Sequence, residues 1–467
     1  MADYLFELER HLNPTQWSLV RRLEQACREL GSNLYLCGGP MRDLLAQRPI
    51  LSLDFILEGS LEKLEKKLFQ QDFELIYANP KEGSIRLRRQ NTRLRISVAH
   101  RVLYEPGGEP RLEPGSVIED LRGRGFTLDA IGLSLAAASR GLLLDPTNGL
   151  ADIELRQIRM IHPYIFEEDP ARLLRALRLE SRLEYRLEER TAARHQAGVE
   201  ANLLASVSPT SLAREIEALA YEPDPAAILR AWNKAELLQP ALGKGVKIAR
   251  LQLALPAQIT KCSQALTAAG LVPDVAPVVL LSLFGKLDAH DQDRIAKLPL
   301  SQPLRQWRQL TAAARQLEKK IGGKEGQNLS ALYDLLHHMP PEVTLWAMLH
   351  PQNARAQKKL KDFCATLPGL RERLPIRELR QMGARPEDPA FAQVLETLFR
   401  QMLEGKLSQA GELSQALAAE ATKRGLVMPA PALAAAPAQA RPAAHPRPRR
   451  AATRSGGAAT SPRRSRN

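Results

Sequence analysis

The chain has 467 residues, with 66 Lys and Arg against 52 Asp and Glu, for a formal net charge of +14. It has no apolar run of about 18 residues and no N-terminal signal pattern, which argues against a membrane-spanning or exported protein; a soluble one of about two to four domains is expected. Cys27, Cys37, Cys262 and Cys364 are scattered without CxxC spacing, so neither zinc nor disulfides are expected, and free thiols in a reducing cytoplasm are.

Residues 4–30 alternate apolar and charged positions at helical spacing, and Asn13-Pro14-Thr15 starts a second helix. From 34 to about 145 the texture changes to short strand-like runs at 34–37, 53–57, 73–77, 85–88, 94–99 and 142–144, with a helical signal from Leu61 to Phe69 between them. This predicts an α+β domain built on a small sheet. After Asp145-Pro146 the strands are expected to stop, and helices broken by prolines, Pro368 among them, run from 165 to about 425. Beyond Gly425, Ala, Pro, Arg, Ser and Gly dominate, and eight arginines follow with no acidic residue, so a disordered basic tail is expected. The boundaries read as 1–145, 146–225, 226–425 and 426–467.

Two constellations carry chemistry. In the first, the apolar run Leu34–Cys37 leads into Gly38-Gly39, whose bare backbone can approach a phosphate. Arg42 adds a fixed positive charge and Asp43 a partner that holds it, and the next strand delivers Asp54 close to the turn. In the second, Asp169 caps a helix with Pro170 at its first position, behind Glu168. Arg172, Arg175, Arg178 and Arg182 then share one helical face. That face is either a solvated basic surface or, with Glu168 and Asp169, a set of donors and acceptors for a nucleobase edge. Arg86, Arg88, Arg89, Arg93 and Arg95 lie along a hairpin-like stretch and either face nucleic acid or solvate the sheet. Trp232, Trp307 and Trp346 read as core, and His290-Asp291 as a helix-end charge cluster rather than part of a metal site.

LYLCGGPMRDLL (34–45), the Asp54 strand, DLRGRGFTLDAI (120–131), LLDPTNGLADIELRQIR (143–159) and EEDPARLLRALRL (167–179) together resemble the class II tRNA nucleotidyltransferase and poly(A) polymerase family, the CCA-adding enzymes and their relatives. The resemblance implies a nucleotidyltransferase head followed by a helical neck and body, with RNA, in particular tRNA, and a nucleoside triphosphate as partners. It implies that Gly38, Gly39, Arg42 and Asp43 bind the triphosphate. Glu168, Asp169 and Arg172, with Arg175 beside them, pair with the base of CTP or ATP. It further implies Mg²⁺ held by a D-x-D pair and a third carboxylate. Here D-x-D is Ser52-Leu53-Asp54, so Asp54 is the remnant of the pair, and the third carboxylate aligns with Ser97. The family's RRDFTINA reads Gly123 to Ala130, with Gly125 in place of its Asp and Asp129 in place of its Asn. Two-ion transfer needs carboxylates to hold and bridge the divalent ions, and a neutral hydroxyl is a poor substitute. An RNA-binding relative with transfer impaired or lost is therefore expected. The alternative is an active Mg²⁺-dependent enzyme that adds CMP or AMP using Asp54 and unconventional ligands, with Asp43, Asp129 and Glu58 as candidates.

Overall fold

The computed structural model describes residues 3–424 apart from 70–72, 81–82, 90–91, 104–110, 252, 254–255, 302–303, 385–387 and 408. The expected basic tail lies outside the described residues. The chain divides into two compact units, one of Met1–Arg373 with Met402–Lys406, the other of Leu374–Gln401 with Leu407–Asn467.

The first unit opens with α1 (Tyr4–His11) and α2 (Pro14–Glu29). Asn13 starts α2 as anticipated. Its side chain accepts the Gln16 N–H at 2.9 Å while the Gln16 side chain accepts the Asn13 N–H at 3.1 Å. There follow β1 (Asn33–Cys37), α3 (Gly39–Leu45), β2 (Leu53–Glu58), α4 (Leu61–Phe69), β3 (Glu74–Asn79), β4 (Ser84–Arg89) and β5 (Thr92–Val98). After them come β6 (His100–Leu103), β7 (Arg111–Pro114), α5 (Val117–Arg122), β8 (Gly132–Ser134) and β9 (Leu143–Leu144). Seven strands form one mixed sheet in the order β3-β4-β5-β2-β1-β8-β9, parallel between β2 and β5 and antiparallel elsewhere. The period-two alternation sorts its faces. Leu53, Phe55, Leu57, Ile85, Leu87, Leu94 and Ile96 are buried on one side, while Asp54, Ser84, Arg86, Arg93, Arg95 and Ser97 share the other. The β6–β7 hairpin pairs apart from this sheet. It and the three-residue β8 carry too few alternating residues to stand out in the sequence.

The helical part begins with α6 (Gly149–Glu154), α7 (Ile165–Glu168), α8 (Ala171–Leu183), α9 (Glu189–Glu200) and α10 (Pro209–Ala220). Contrary to the expectation that strands stop at Pro146, Gln157–Ile158 (β10) and Arg186–Leu187 (β11) form a two-residue parallel pair. Such a pair has no periodicity to read. Helices continue with α11 (Pro225–Lys234), α12 (Leu238–Leu242), α13 (Pro256–Ala268), α14 (Val275–Phe284), α15 (Ala289–Ala296), α16 (Leu310–Gly322), α17 (Leu329–His337), α18 (Pro341–Leu349), α19 (Ala354–Glu372), α20 (Ile376–Gln381), α21 (Pro389–Leu403) and α22 (Ala410–Lys423). Pro368 does not break the chain as expected: α19 runs through it, and a proline deep in a helix forgoes one backbone hydrogen bond that packing can outweigh. Trp232, Trp307 and Trp346 are buried, as core residues should be. In the second unit, Leu417 and Ala421 are buried along α22, and Glu420 pairs with Lys423 and Arg424 near the helix end. Among the described residues no helix is long and apolar enough to cross a membrane.

All four cysteines are free. Burial pushes the Cys27 and Cys37 thiols up to about 12 and Cys364 up to about 11, whereas Cys262 is only half-buried. A thiol-reactive dye should therefore label native protein at Cys262 alone and reach four thiols after denaturation. Rapid native labelling of two or more would contradict this burial.

Candidate functional site

Strand β1 ends at Cys37, and Gly38 turns the chain with φ 74° and ψ −127°, a conformation side chains avoid. An added Cβ there would lie 2.2 Å from Arg124 Nη1, so the guanidinium of Arg124 rests directly on the turn. It is held there by Asp120 and by the Asp129 carbonyl, 3.1 Å from Nη1. At Gly39, an added Cβ would lie 3.6 Å from Arg42 Nη2 and 3.7 Å from Asp54 Oδ2. The turn thus brings Arg42 and Asp54 to one place, as the sequence suggested.

Arg42 is buried and doubly held. Its Nε and Nη2 donate to Asp43 Oδ1 at 3.0 and 2.9 Å, and Nη1 donates to Asp129 Oδ1 at 2.5 Å. Burial alone would lower its pKa, but Asp43 and then Asp129 raise it further than burial lowers it. Asp129 mirrors this: burial pushes its carboxyl up, and Arg42, Arg175, Arg178 and Arg124 hold it below its ordinary value. Asp54 is half-buried on β2 and accepts a hydrogen bond from Ser52 Oγ at 3.3 Å. The parallel register sets Arg95 level with Asp54 and Ser97 level with Ile56. Ser97 is buried, and its hydroxyl donates to the Phe55 carbonyl at 3.5 Å.

The three carboxylates that sequence offered as substitute ligands are committed elsewhere. Asp43 faces Arg42 and Arg182, Asp129 faces Arg42, and Glu58 accepts from Tyr35 Oη and from the Val117 amide, both at 2.8 Å. Among the described residues, no three His, Cys, Asp or Glu side chains gather as a metal-holding group. The donor set around Asp54, one carboxylate and a hydroxyl, does not fit a pair of bridged divalent ions.

Helix α8 carries the second constellation. It begins at Ala171, one residue later than expected, with Asp169 Oδ1 accepting the Ala171 N–H at 3.2 Å. Arg172 is buried and donates through Nη1 to Glu168 Oε2 at 3.0 Å and to the Ile165 carbonyl at 3.1 Å. Gly125 lies against it: an added Cβ would sit 3.0 Å from Arg172 Cδ and Nε. The glycine therefore makes room for the Arg172 stem. The other arginines overturn the reading of α8 as a solvated basic face. Arg175 Nε donates to Glu215 Oε1 at 2.7 Å, and Arg178 spans Glu215 and Glu222 at 3.1 and 2.7 Å. Arg182 joins Glu222, at 3.0 Å, to Asp43, at 2.5 Å. Arg178 and Arg182 have side chains only 11% and 6% exposed. Glu215 on α10 and Glu222 just beyond it are the partners missed from sequence. They lie some forty residues from the arginines they hold, so no local spacing in the sequence links the two. Asp145, in the segment that begins DPTNG, serves the fold: its carboxylate accepts the Gly149 and Leu150 amides at 2.7 and 2.9 Å and starts α6.

The Asp43–Arg182–Glu222 chain runs from the glycine turn to α8 and α10. Residues 34–159 match the Poly A polymerase head domain. Through this segment the chain carries a Poly A polymerase head domain, and the proteins it is similar to include A-adding and CC-adding tRNA nucleotidyltransferases. It is 33% identical over 206 residues to the A-adding tRNA nucleotidyltransferase of Aquifex aeolicus, covering 44% of this chain and 25% of that protein. Against the A-adding enzyme of Halalkalibacterium halodurans it is 30% identical, covering 52% of this chain and 58% of that protein. Against the CC-adding enzyme of Deinococcus radiodurans the identity is 32%, covering 44% and 56%. The matches therefore span less than two thirds of these relatives, whose names differ in the nucleotide added.

Two measurements probe the head. Arg42 is held by a carboxylate where the family has the neutral Asn, so an incoming anion must compete with Asp129 for it. Asp129→Asn should tighten the binding of inorganic triphosphate about tenfold, about 1.4 kcal/mol, by calorimetry; unchanged affinity would contradict this competition. The acid response follows from the same contacts. Asp129 and Glu222 lie below their ordinary values of 3.8 and 4.5; in both, burial opposes the shift and is outweighed, by Arg42 first for Asp129 and by Arg178 and Arg182 for Glu222. The stability these depressed pKa values contribute is present above those ordinary values and is lost as pH falls through the lower folded-state values. The unfolding temperature should hold from pH 7 to 5 and fall steeply below about pH 4.

Proposed function

We propose that the protein binds RNA 3′ ends, of the tRNA class, together with CTP or ATP on its nucleotidyltransferase head, and that its capacity for nucleotidyl transfer is impaired or lost. The observation that carries this reading is the pairing of Asp54 with Ser52 while Asp43, Asp129 and Glu58 are committed to other partners. In this reading the chain is a cytoplasmic protein with head 1–145, neck 146–225, body 226–425 and basic tail 426–467.

The residues then divide the work. Gly38 and Gly39 let a phosphate chain approach the backbone, and Arg42 supplies its fixed positive charge once the anion displaces a carboxylate. Glu168, Asp169 and Arg172 offer acceptors and donors to a base edge, with Arg172 already oriented by Glu168 and the Ile165 carbonyl. Mg²⁺ would enter only with the nucleotide, since the side chains present suit neither a bridged pair nor a third ligand.

Filter binding tests the reading. Full-length protein should retain tRNA ending before or after CCA, with affinity that falls steeply with salt and weakens when the chain is cut after Gly425. Absence of tRNA binding by the full chain would overturn it.

A further inference from the structure

Just before α8 the chain holds an aromatic ring out to solvent on a turn that is anchored at both ends. On one side Met160 bridges to Phe126, and the Ile161 N–H donates to the Gly125 carbonyl at 3.1 Å. On the other side Ile165 and Phe166 are buried, and the Phe166 ring packs 6.4 Å from Phe126 and 5.6 Å from His195. Between these fixed points, directly after Pro163, Tyr164 is 64% exposed, more than any other Phe, Tyr or Trp among the described residues. Its carbonyl accepts the Glu168 N–H at 3.0 Å, so the two side chains, four residues apart, leave one face of this turn. His162, on the same turn, reaches the Glu168 carboxylate: its Nε2 lies 3.3 Å from Oε2, the oxygen that Arg172 also meets. The arginine hairpin of β4 and β5, by contrast, is turned toward helices, with Arg86 paired to Glu217 and Arg93 to Asp274.

We propose that Tyr164 is a stacking platform for a nucleobase, carried by the incoming nucleotide or by the end of an RNA strand. The inference rests on the proposed function, because it supplies a face for a base whose edge meets Glu168, Asp169 and Arg172. An unpaired base offers a polar edge and a flat π-face, and single-stranded recognition uses both. Edge contacts exchange hydrogen bonds with water for hydrogen bonds with protein, so they orient a base more than they hold it. Laying the face on an aromatic ring takes apolar surface out of water and adds the holding energy. The turn suits that task. Pro163 and the buried residues on both sides fix the backbone beneath the ring, so little freedom is lost when a base settles on it. Every base has a π-face, so one platform serves cytosine and adenine alike.

The test is calorimetric titration of the full-length chain and of Tyr164→Ala, Tyr164→Phe and Phe69→Ala. The probes are CTP, ATP, inorganic triphosphate, a short single-stranded RNA ending in CCA, and the same strand with an abasic 3′-terminal nucleotide. Tyr164→Ala should weaken the nucleotides, the intact strand or both about tenfold, and leave inorganic triphosphate and the abasic strand unchanged. Tyr164→Phe keeps the ring and should bind as the natural chain does, and so should Phe69→Ala, which removes another exposed ring from the head. Because Tyr164 is exposed, its variants should melt with the natural chain. Loss with CTP and ATP assigns the platform to the incoming base, and loss with the intact strand alone assigns it to the strand's terminal base. Equal affinity of Tyr164→Ala and the natural chain for every base-bearing probe would overturn the proposal and leave the proposed function standing. A loss that extends to inorganic triphosphate and the abasic strand, or that is as large in Tyr164→Phe, would overturn it in the same way. Failure of the natural chain to bind any nucleotide or strand would overturn the proposed function and the platform with it.

Discussion

Glu215→Ala should destabilise the first unit by about 3–5 kcal/mol, because it leaves buried charges without their partner. Glu215 is 1% exposed and receives Arg175 and Arg178 from α8. Removing it takes from Arg175 its carboxylate partner and leaves buried Arg178 on Glu222 alone, where an under-compensated charge is expensive, and it frees Arg178 to pull on Glu222 and, through Arg182, on Asp43. Glu215→Gln keeps the volume and an acceptor, so its effect should be smaller. As a control, Glu62→Ala breaks only the exposed pair with Lys66 and should leave the denaturant midpoint unchanged. Chemical unfolding of the three variants reads the difference. Equal midpoints for Glu215→Ala and Glu62→Ala would show that the network contributes nothing beyond a surface pair.

Ser52→Asp should make nucleotide binding depend on a divalent ion. The Ser52 hydroxyl already reaches Asp54 Oδ2, so a carboxylate at that position would stand within bridging reach of its neighbour two residues along. Two such groups repel unless a cation sits between them, which is the electrostatic basis of metal affinity at paired carboxylates. CTP affinity of the variant should rise at least tenfold from EDTA to Mg²⁺, about 1.4 kcal/mol, while the natural chain should change less. A variant as indifferent to Mg²⁺ as its parent would show that Arg95, level with Asp54, and not the missing carboxylate, governs the site.

Much of this was legible in the sequence because local chemistry dictated it. Gly38-Gly39 after an apolar run required a turn, and the turn did bring Arg42 and Asp54 together. The departures Ser52, Gly125 and Asp129 were visible as residue types, and the last two acquired physical meaning only through their neighbours. Gly125 accommodates the Arg172 stem, and Asp129 grips Arg42. The fate of the α8 arginines was not legible, since their partners come from α10 some forty residues later and helical spacing cannot distinguish a solvated face from a paired one. Strand register was equally hidden. Alternation placed Arg86, Arg95 and Asp54 on strands, but only the antiparallel pairing of β4 with β5 and the parallel pairing of β2 with β5 align them in one row.

The central claim is that this head has kept its ligands and lost its chemistry. It is tested most directly by incubating the full-length chain with Mg²⁺, labelled CTP or ATP, and tRNA ending before or within CCA, beside Asp54→Ala. The account predicts that neither protein lengthens the tRNA, although both retain it on a filter. Lengthening by the natural chain that disappears in Asp54→Ala would contradict it.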